Sequence, residues 1–402
     1  MPRSRPFLVG CLAALTLTVT ACGNITTGEA GGEAAPPGIT DSTIKLGTSM
    51  PVTGVAQLAG QGLEAGLRIA AEEINANGGI GGRQIELVVL DDGFKPDRLV
   101  ANVQRLVSQE QVYALVAPSG SQALAGTYAT LAQTGTPMWG PVSPPDPEQR
   151  EVFLLGATRT VQARVALDHF ADLGANRIAF IGQENDLGKE GNAALDQQVP
   201  RNPGMEVVAR AGVQQGSTDV ASAVNAVIDA RPDALLVSTD NNQLALILKQ
   251  LRSRGVDIPV AADQGAGGTG AQSTVGPAGE AAEGLVGAFQ VDVVSTDNPE
   301  VEHWRTLAQA YDGPEATSGF SLQTYGYLKA FAEIIERAGD DVSHAHFAAT
   351  AEKLAEDPID LGSMPQIECG PLPGGHTCVQ QAGLAEFRDG AWQVLKPFTA
   401  PR

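Results

Sequence analysis

The sequence predicts an α/β protein made of two successive parallel-sheet units, and three observations predict it. First, within Gly62 to Asp92 an apolar stripe of helical period, Leu63, Leu67, Ala70, Ala71 and Ile74, stops at Asn75-Ala76-Asn77-Gly78-Gly79. Asn and Gly accept the left-handed conformation that ends a helix. The run Ile85 to Leu90 follows, apolar without alternation, as a strand covered on both faces requires. Second, helix and strand patterns alternate along the rest of the chain, the signature of a parallel sheet. Third, the alternation breaks at the Pro-rich stretch Pro141 to Pro147 and then restarts.

The chain begins with a leader. Arg3 and Arg5 precede an apolar run, Phe7 to Val19, of secretory-signal length and too short for a comfortable membrane span. The run ends in Val19-Thr20-Ala21-Cys22, which resembles a bacterial lipobox. In such proteins cleavage leaves the cysteine first and its thiol carries lipid, so Cys22 is the expected lipidation site. An ordinary secretory signal with an incidental Cys22 is the alternative. Residues 23–42 are rich in Gly, Ala, Pro, Thr and Glu without periodicity and read as a flexible tether. A soluble domain held to the outer side of a cell membrane by lipid is the expected arrangement.

At 402 residues the chain is long enough for two or three domains with a large core. It is 43% hydrophobic and 18% charged, an ordinary globular composition. The formal charge is −20, and without Arg3 and Arg5 it becomes −22, from 24 basic against 46 acidic residues. Nucleic-acid binding needs basic patches that displace phosphate counterions, so this balance argues against it. It also offers anionic lipid no electrostatic attraction.

The elements follow in order. A strand at Ile44 to Met50 precedes the opening helix and strand. A helix over Asp97 to Gln109, a strand over Val112 to Ala117, a helix over Ser121 to Gln133 and a strand from Pro137 complete the first unit. The second unit alternates helices at Val161 to Leu173, Lys189 to Val199, Asp219 to Ala230 and Gln243 to Arg254 with strands at Arg177 to Gly182, Met205 to Ala211, Ala234 to Ser238 and Ile258 to Ala262. Leu285 to Val291 is expected to return to the first unit. Three helices, Pro299 to Tyr311, Gly319 to Ala338 and His344 to Ala355, come next, and a hairpin turning at Asp389-Gly390 ends the chain. Ligands of open parallel sheets bind at the carboxyl ends of the strands, beside helix N-termini. Two such units facing each other would enclose a cleft.

Four cysteines are present. Cys11 lies in the leader and Cys22 is the lipid site, which leaves Cys369 and Cys378 as an even pair in an oxidising compartment. The segment between them, GPLPGGHT, is turn-rich. A structural disulfide is expected; a metal site would need two more ligands, and only His376 is near.

The lipobox, the phrase EEINANGGIGGRQIELVVLDD and the later PDALLVSTDNNQLALILKQLRSRG resemble the type I periplasmic binding proteins. The resemblance is strongest to the branched-chain amino acid (Leu/Ile/Val) type of ABC-transporter solute-binding lipoprotein, and it spans about residues 43–398. It implies two doubly wound parallel-sheet lobes joined by a three-segment hinge: residues 43–157 with 289–370, and residues 158–288 with 371–398. It further implies a non-enzymatic monomer without cofactor that passes a small ligand to an ABC permease.

Candidate ligand contacts follow from both sources. The turn Pro118-Ser119-Gly120-Ser121-Gln122 joins a strand to a helix, where backbone N–H groups and serine hydroxyls suit a carboxylate. The alternative is a plain serine helix cap. The resemblance implies that this serine-rich turn holds an amino acid carboxylate, and Ser143 is the next family-like position. Leu58 and Leu187 stand where relatives often place aromatics; leucines imply a wider aliphatic wall, a differently shaped ligand, or ordinary loop packing. The family's ammonium-binding glutamate matches Gln264, beside Asp263, and a neutral glutamine cannot pair with an ammonium as a carboxylate does. Asp240 either supplies that charge or caps the helix that begins near Gln243.

Other signals carry less. Gly265 to Gly270 matches a dinucleotide G-x-G-x-x-G pattern, but in the second unit and before a weak helix. Asp91 and Asp92 read as solvated carboxylates at a strand end. No HExxH or G-x-S-x-G motif occurs. The leading expectation is capture of a small polar metabolite, an amino acid, amide or related carboxylate, for an importer. A sensor of the same fold that signals to a receptor, and an extracytoplasmic amide hydrolase, are the alternatives.

Overall fold

The computed structural model describes residues 36–54, 56–142, 149–263, 271–295, 297–370 and 376–402. The leader, Cys22 and most of the tether lie outside them. In chain order the first elements are β1 (Thr43–Met50), α1 (Gln57–Ala76), β2 (Gln84–Asp91), α2 (Pro96–Ser108) and β3 (Ala114–Val116). A 3-10 turn, Ser121–Thr127, then runs into α3 (Tyr128–Thr134), followed by β4 (Met138–Trp139) and β5 (Val152–Leu154). Next come α4 (Arg159–Asp172), β6 (Arg177–Gln183), α5 (Asp186–Gln198), β7 (Glu206–Val213), α6 (Ala221–Ala230), β8 (Ala234–Ser238), α7 (Asn241–Ser253), β9 (Val260–Ala262) and α8 (Ala271–Ala278). The chain closes with β10 (Leu285–Phe289), α9 (Pro299–Ala310), α10 (Gly319–Ala338), α11 (His344–Glu352), β11 (His376–Thr377), β12 (Ala382–Arg388) and β13 (Ala391–Thr399).

The opening unit shows how sequence becomes fold here. The five stripe residues of α1 are all buried. Asn75 fixes where the helix ends: its Nδ2 donates to Ile85 O at 3.0 Å and its Oδ1 accepts from Ile85 N at 2.7 Å. The last turn of α1 is thereby pinned to the start of β2, which pairs in parallel with β1 along its whole length. On its other side α1 packs against α10. A Cβ on Gly66 would lie 2.0 Å from Ser321 O, so only glycine permits this approach. At the same crossing Thr324 Oγ1 donates to Leu63 O at 2.7 Å.

Two sheets result. The first has the order β11-β5-β4-β3-β1-β2 and is wholly parallel. The second has the order β13-β12-β10-β9-β8-β6-β7, parallel except where β12 and β13 add an antiparallel hairpin. Within each lies the same doubly wound pattern, one strand pair turned outward and the following strands laid down in sequence on the other side.

The chain crosses between the sheets three times. Cys378 N donates to Leu154 O at 2.8 Å, tying the first crossing to the third, and Asp292 N donates to Ser363 O at 2.8 Å, tying the second to the segment leading into the third. The disulfide Cys369–Cys378 lies in that same region, with Cα atoms 4.0 Å apart; residues 371–375 lie outside the described residues. Two expected assignments change. Leu285–Phe289 pairs with β9 and β12, in the second sheet rather than the first. His376 and Thr377, expected in the second lobe, pair in parallel with Phe153 and Leu154 in the first sheet. We take the second crossing to follow Phe289 and the third to follow Thr377. Strands as short as β5 and β11 bury few side chains and leave almost no pattern in sequence.

Candidate ligand-binding site

In a doubly wound sheet the crevice opens where the winding reverses, between the first strand and the strand laid beside it on the other side. In the first sheet that point lies between β1 and β3; in the second it lies between β6 and β8. Candidate residues stand at both.

At the first point the Ser119–Gly120 turn is bound to its surroundings. Ser119 N donates to Ser49 O at 2.9 Å, across the switch point itself. Ala117 N donates to Trp139 O at 2.9 Å and Val142 N to Pro118 O at 3.0 Å, so the turn is held from both neighbouring strands. Ser119 and Gly120 stay partly exposed. Ser121 begins the 3-10 turn that continues into α3, which makes 14 helical residues from Ser121 to Thr134. The turn therefore sits at the positive end of a short helical rod. Ser143 lies outside the described residues.

The neighbouring β2–α2 loop is ordered by two carboxylates. Asp92 is 1% exposed; it accepts from Ser49 Oγ at 2.9 Å and from Phe94 N at 2.9 Å. Burial raises its carboxyl above the ordinary range despite these bonds. Asp91 accepts from Thr53 Oγ1 at 2.6 Å and from Gly93 N at 3.0 Å. Burial pushes the Asp91 carboxyl upward, but these bonds and Arg98 outweigh it and hold it low. The reading of both as solvated strand-end groups is thus corrected for Asp92: it is a buried strut between β1 and the loop.

At the second point Gln183, the last residue of β6, gathers a polar network. Its Nε2 donates to Asp240 Oδ2 at 2.7 Å and to Gln243 Oε1 at 3.0 Å, and its Oε1 accepts from Asn185 Nδ2 at 2.7 Å. Asp240 Oδ1 accepts from Gln243 N at 3.0 Å. Asp240 is therefore the N-cap of α7, with its second oxygen held by Gln183. The capping role that the sequence left open is thus made.

Asp263, just beyond β9, is wholly buried, and Arg159 Nη1 lies 3.7 Å from its Oδ1. Arg159 opens α4, so a cation and its carboxylate partner share the carboxyl edge of the second sheet. Gln264 and the Gly265–Gly270 run lie outside the described residues. Leu58 stands in the first turn of α1, 60% exposed. Leu187 stands in the first turn of α5, half-buried, with its N–H donating to Asn185 Oδ1 at 3.0 Å. Each opens a helix directly after the first strand of its sheet. Among the described residues no group of three or more His, Cys, Asp and Glu could hold a metal, and no helix is long and apolar enough to cross a membrane.

Sequence reasoning missed Gln183, Gln243, Arg159 and Phe94. Gln183 was findable, because the residue that ends the strand beside a reversal faces the crevice. Arg159 was not: its partner Asp263 is over a hundred positions away in the chain.

The periplasmic binding protein family profile matches residues 43–391. The leucine-, isoleucine-, valine-, threonine- and alanine-binding protein of Pseudomonas aeruginosa is 26% identical over 326 residues, covering 78% of this chain and 81% of its own. Leu/Ile/Val-binding protein homolog 7 of Brucella abortus is 26% identical over 339 residues, covering 79% and 82%. Among solved structures, the branched-chain amino acid transporter substrate-binding protein of Streptococcus pneumoniae in complex with isoleucine superimposes with a TM-score of 0.68 at 23% identity, covering 89% of this chain and all of that one. A fatty acid ABC transporter substrate-binding protein of Thermomonospora curvata gives a TM-score of 0.71 at 20% identity, covering 90% and 94%. With a family profile spanning most of its length and both sheets wound as that fold requires, the chain belongs to the periplasmic binding protein family, in its two-lobed type I form.

Proposed function

We propose that this protein captures a small carboxylate-bearing metabolite between its two lobes and delivers it to an ABC importer. The observation that carries the ligand class is the state of the second switch point. Asp240 is spent on the α7 cap and Gln183, Asp263 stands beside Arg159, and the position matching the family's ammonium-binding glutamate is Gln264. Gln183 and Gln243 are engaged within the same network, and the partly exposed Arg159 guanidinium is a group at that edge that favours an acid or amide over an ammonium. At the other edge the Ser119 turn offers a hydroxyl and the positive end of a helical rod, which suit a carboxylate. The preferred ligands are therefore acids and amides without an α-ammonium group, in contrast to the amino acids named for the Pseudomonas relative. Anchoring by lipid at Cys22, an extracytoplasmic location, a monomeric state and handover to a permease belong to the same proposal, and the lipobox supports the first two.

A thermal-shift screen of the mature protein against amino acids, amides, aromatic and aliphatic acids and sugars tests it. Stabilisation by acids or amides, weakened by Ser119→Ala, is expected; micromolar binding of leucine, isoleucine or valine would overturn the ligand class.

A further inference from the structure

We infer that the cavity beside the Ser119–Gly120 turn is an apolar subsite that takes the hydrocarbon part of the acid whose carboxylate the turn holds. The inference rests on the proposed role of that turn. The cavity measures about 180 Å³ and its lining is mostly apolar, from Phe94, Pro96, Leu99 and Ala123, completed by Ser119, Gly120, Lys95 and the buried Asp92. For scale, an apolar cavity of about 150 Å³ holds a benzene molecule. The space therefore fits a phenyl ring or a branched chain of several carbons, and Ser119 and Gly120 belong both to it and to the candidate carboxylate site.

Two further features show the subsite as built. Gly120 lies directly against Leu99: a Cβ there would come within 2.0 Å of Leu99 Cδ1. Any larger residue would drive Leu99 into the space. Phe94 stands at the mouth, 53% exposed, with a backbone φ of 61°. A bulky residue seldom adopts that conformation, and it persists only where the surroundings over-determine it. Here Asp92 does so, accepting from Phe94 N at 2.9 Å through its side chain and from Lys95 N at 3.0 Å through its carbonyl. An aromatic ring is thus held at the rim of an apolar space next to the ligand turn. It stands on a loop other than those carrying Leu58 and Leu187, where relatives place their aromatics.

Calorimetric titration of the mature protein with straight-chain monocarboxylates from acetate to octanoate, and with phenylacetate, tests the subsite. Affinity should rise about four-fold per methylene until the cavity is full, and then level off. Ala123→Phe should return the longer acids to the affinity of acetate, and Leu99→Ala should move the plateau to longer chains. Phe94→Ala, which opens the mouth without filling the space, should weaken the longer acids and phenylacetate by roughly ten-fold. If the three variants keep the wild-type dependence on chain length while Ser119→Ala still weakens every acid, the subsite is refuted and the turn stands. If no acid binds, or Ser119→Ala changes nothing, the role of the turn is refuted and the subsite with it.

Discussion

Gln183 and Asp240 meet at 2.7 Å across the boundary between β6 and β8, and that bond joins a structural task to the chemistry of the edge. Asp240 caps α7 with one oxygen and holds Gln183 with the other. Removing it as Asp240→Ala should cost about 2 kcal/mol, from the lost cap and from one N–H of the buried Gln183 amide left without its acceptor. Asparagine caps helices about as well as aspartate, but its NH2 would face the Gln183 Nε2 donor to donor, so Asp240→Asn should keep the cap, lose the bond to Gln183 and cost about 1 kcal/mol, less than the alanine variant. Urea unfolding of the two variants distinguishes a cap from a group kept for a ligand's charge; equal losses would contradict the cap.

The α1–α10 crossing gives a second expectation. Alanine favours a helix over glycine by about 1 kcal/mol, yet Gly66→Ala places a Cβ 2.0 Å from a backbone carbonyl oxygen. Steric overlap should win, with a net loss of about 1–3 kcal/mol in chemical denaturation. A stabilised variant would mean that the two helices can separate at little cost.

Glu73 bridges three helices: it accepts from Tyr325 OH at 2.7 Å, from Lys329 Nζ at 3.1 Å and stands 2.7 Å from His303 Nε2. Burial alone would raise its carboxyl, but these partners outweigh burial and hold it below its ordinary value of 4.5. A depressed carboxyl takes up its proton later in the folded than in the unfolded chain. Its contribution is therefore complete above the ordinary value and fades as pH falls through the lower, folded one. Glu73→Gln should cost about 2 kcal/mol at pH 7 and flatten the loss of stability below pH 4.5. Stability curves measured from pH 3 to 7 check both parts.

The bond between Cys369 and Cys378 closes a loop with a sequence separation of 9. Closing a loop of that length restricts the unfolded chain by about 2–3 kcal/mol. The double variant C369A/C378A should lose that amount, and reduction should lower the melting temperature of the parent but not of the variant.

The lobes were legible because their signals are local. The stripe Leu63 to Ile74, the Asn75 stop and the unalternating β2 sit within one stretch, and Asn75 turned out to bind the strand that follows its own helix. The Ser119 turn was legible for the same reason, being a strand end followed at once by a helix start. What sequence concealed depends on placement in space. β11 is two residues long and joins β5 from more than 200 positions away. Arg159 and Asp263 become neighbours only when α4 and β9 reach the same edge. Phe94 reads as a loop residue until the strand order sets it beside Ser119 and Gly120. The dual commitment of Asp240 could not be chosen from sequence, because it depends on Gln183, which stands 57 positions earlier.

The central claim is that the second switch point accepts a ligand without an ammonium group. The most direct measurement is a calorimetric comparison of leucine with 4-methylpentanoate, which differ only in the α-ammonium. Tighter binding of 4-methylpentanoate, by at least ten-fold, is the predicted result; tighter binding of leucine would contradict it.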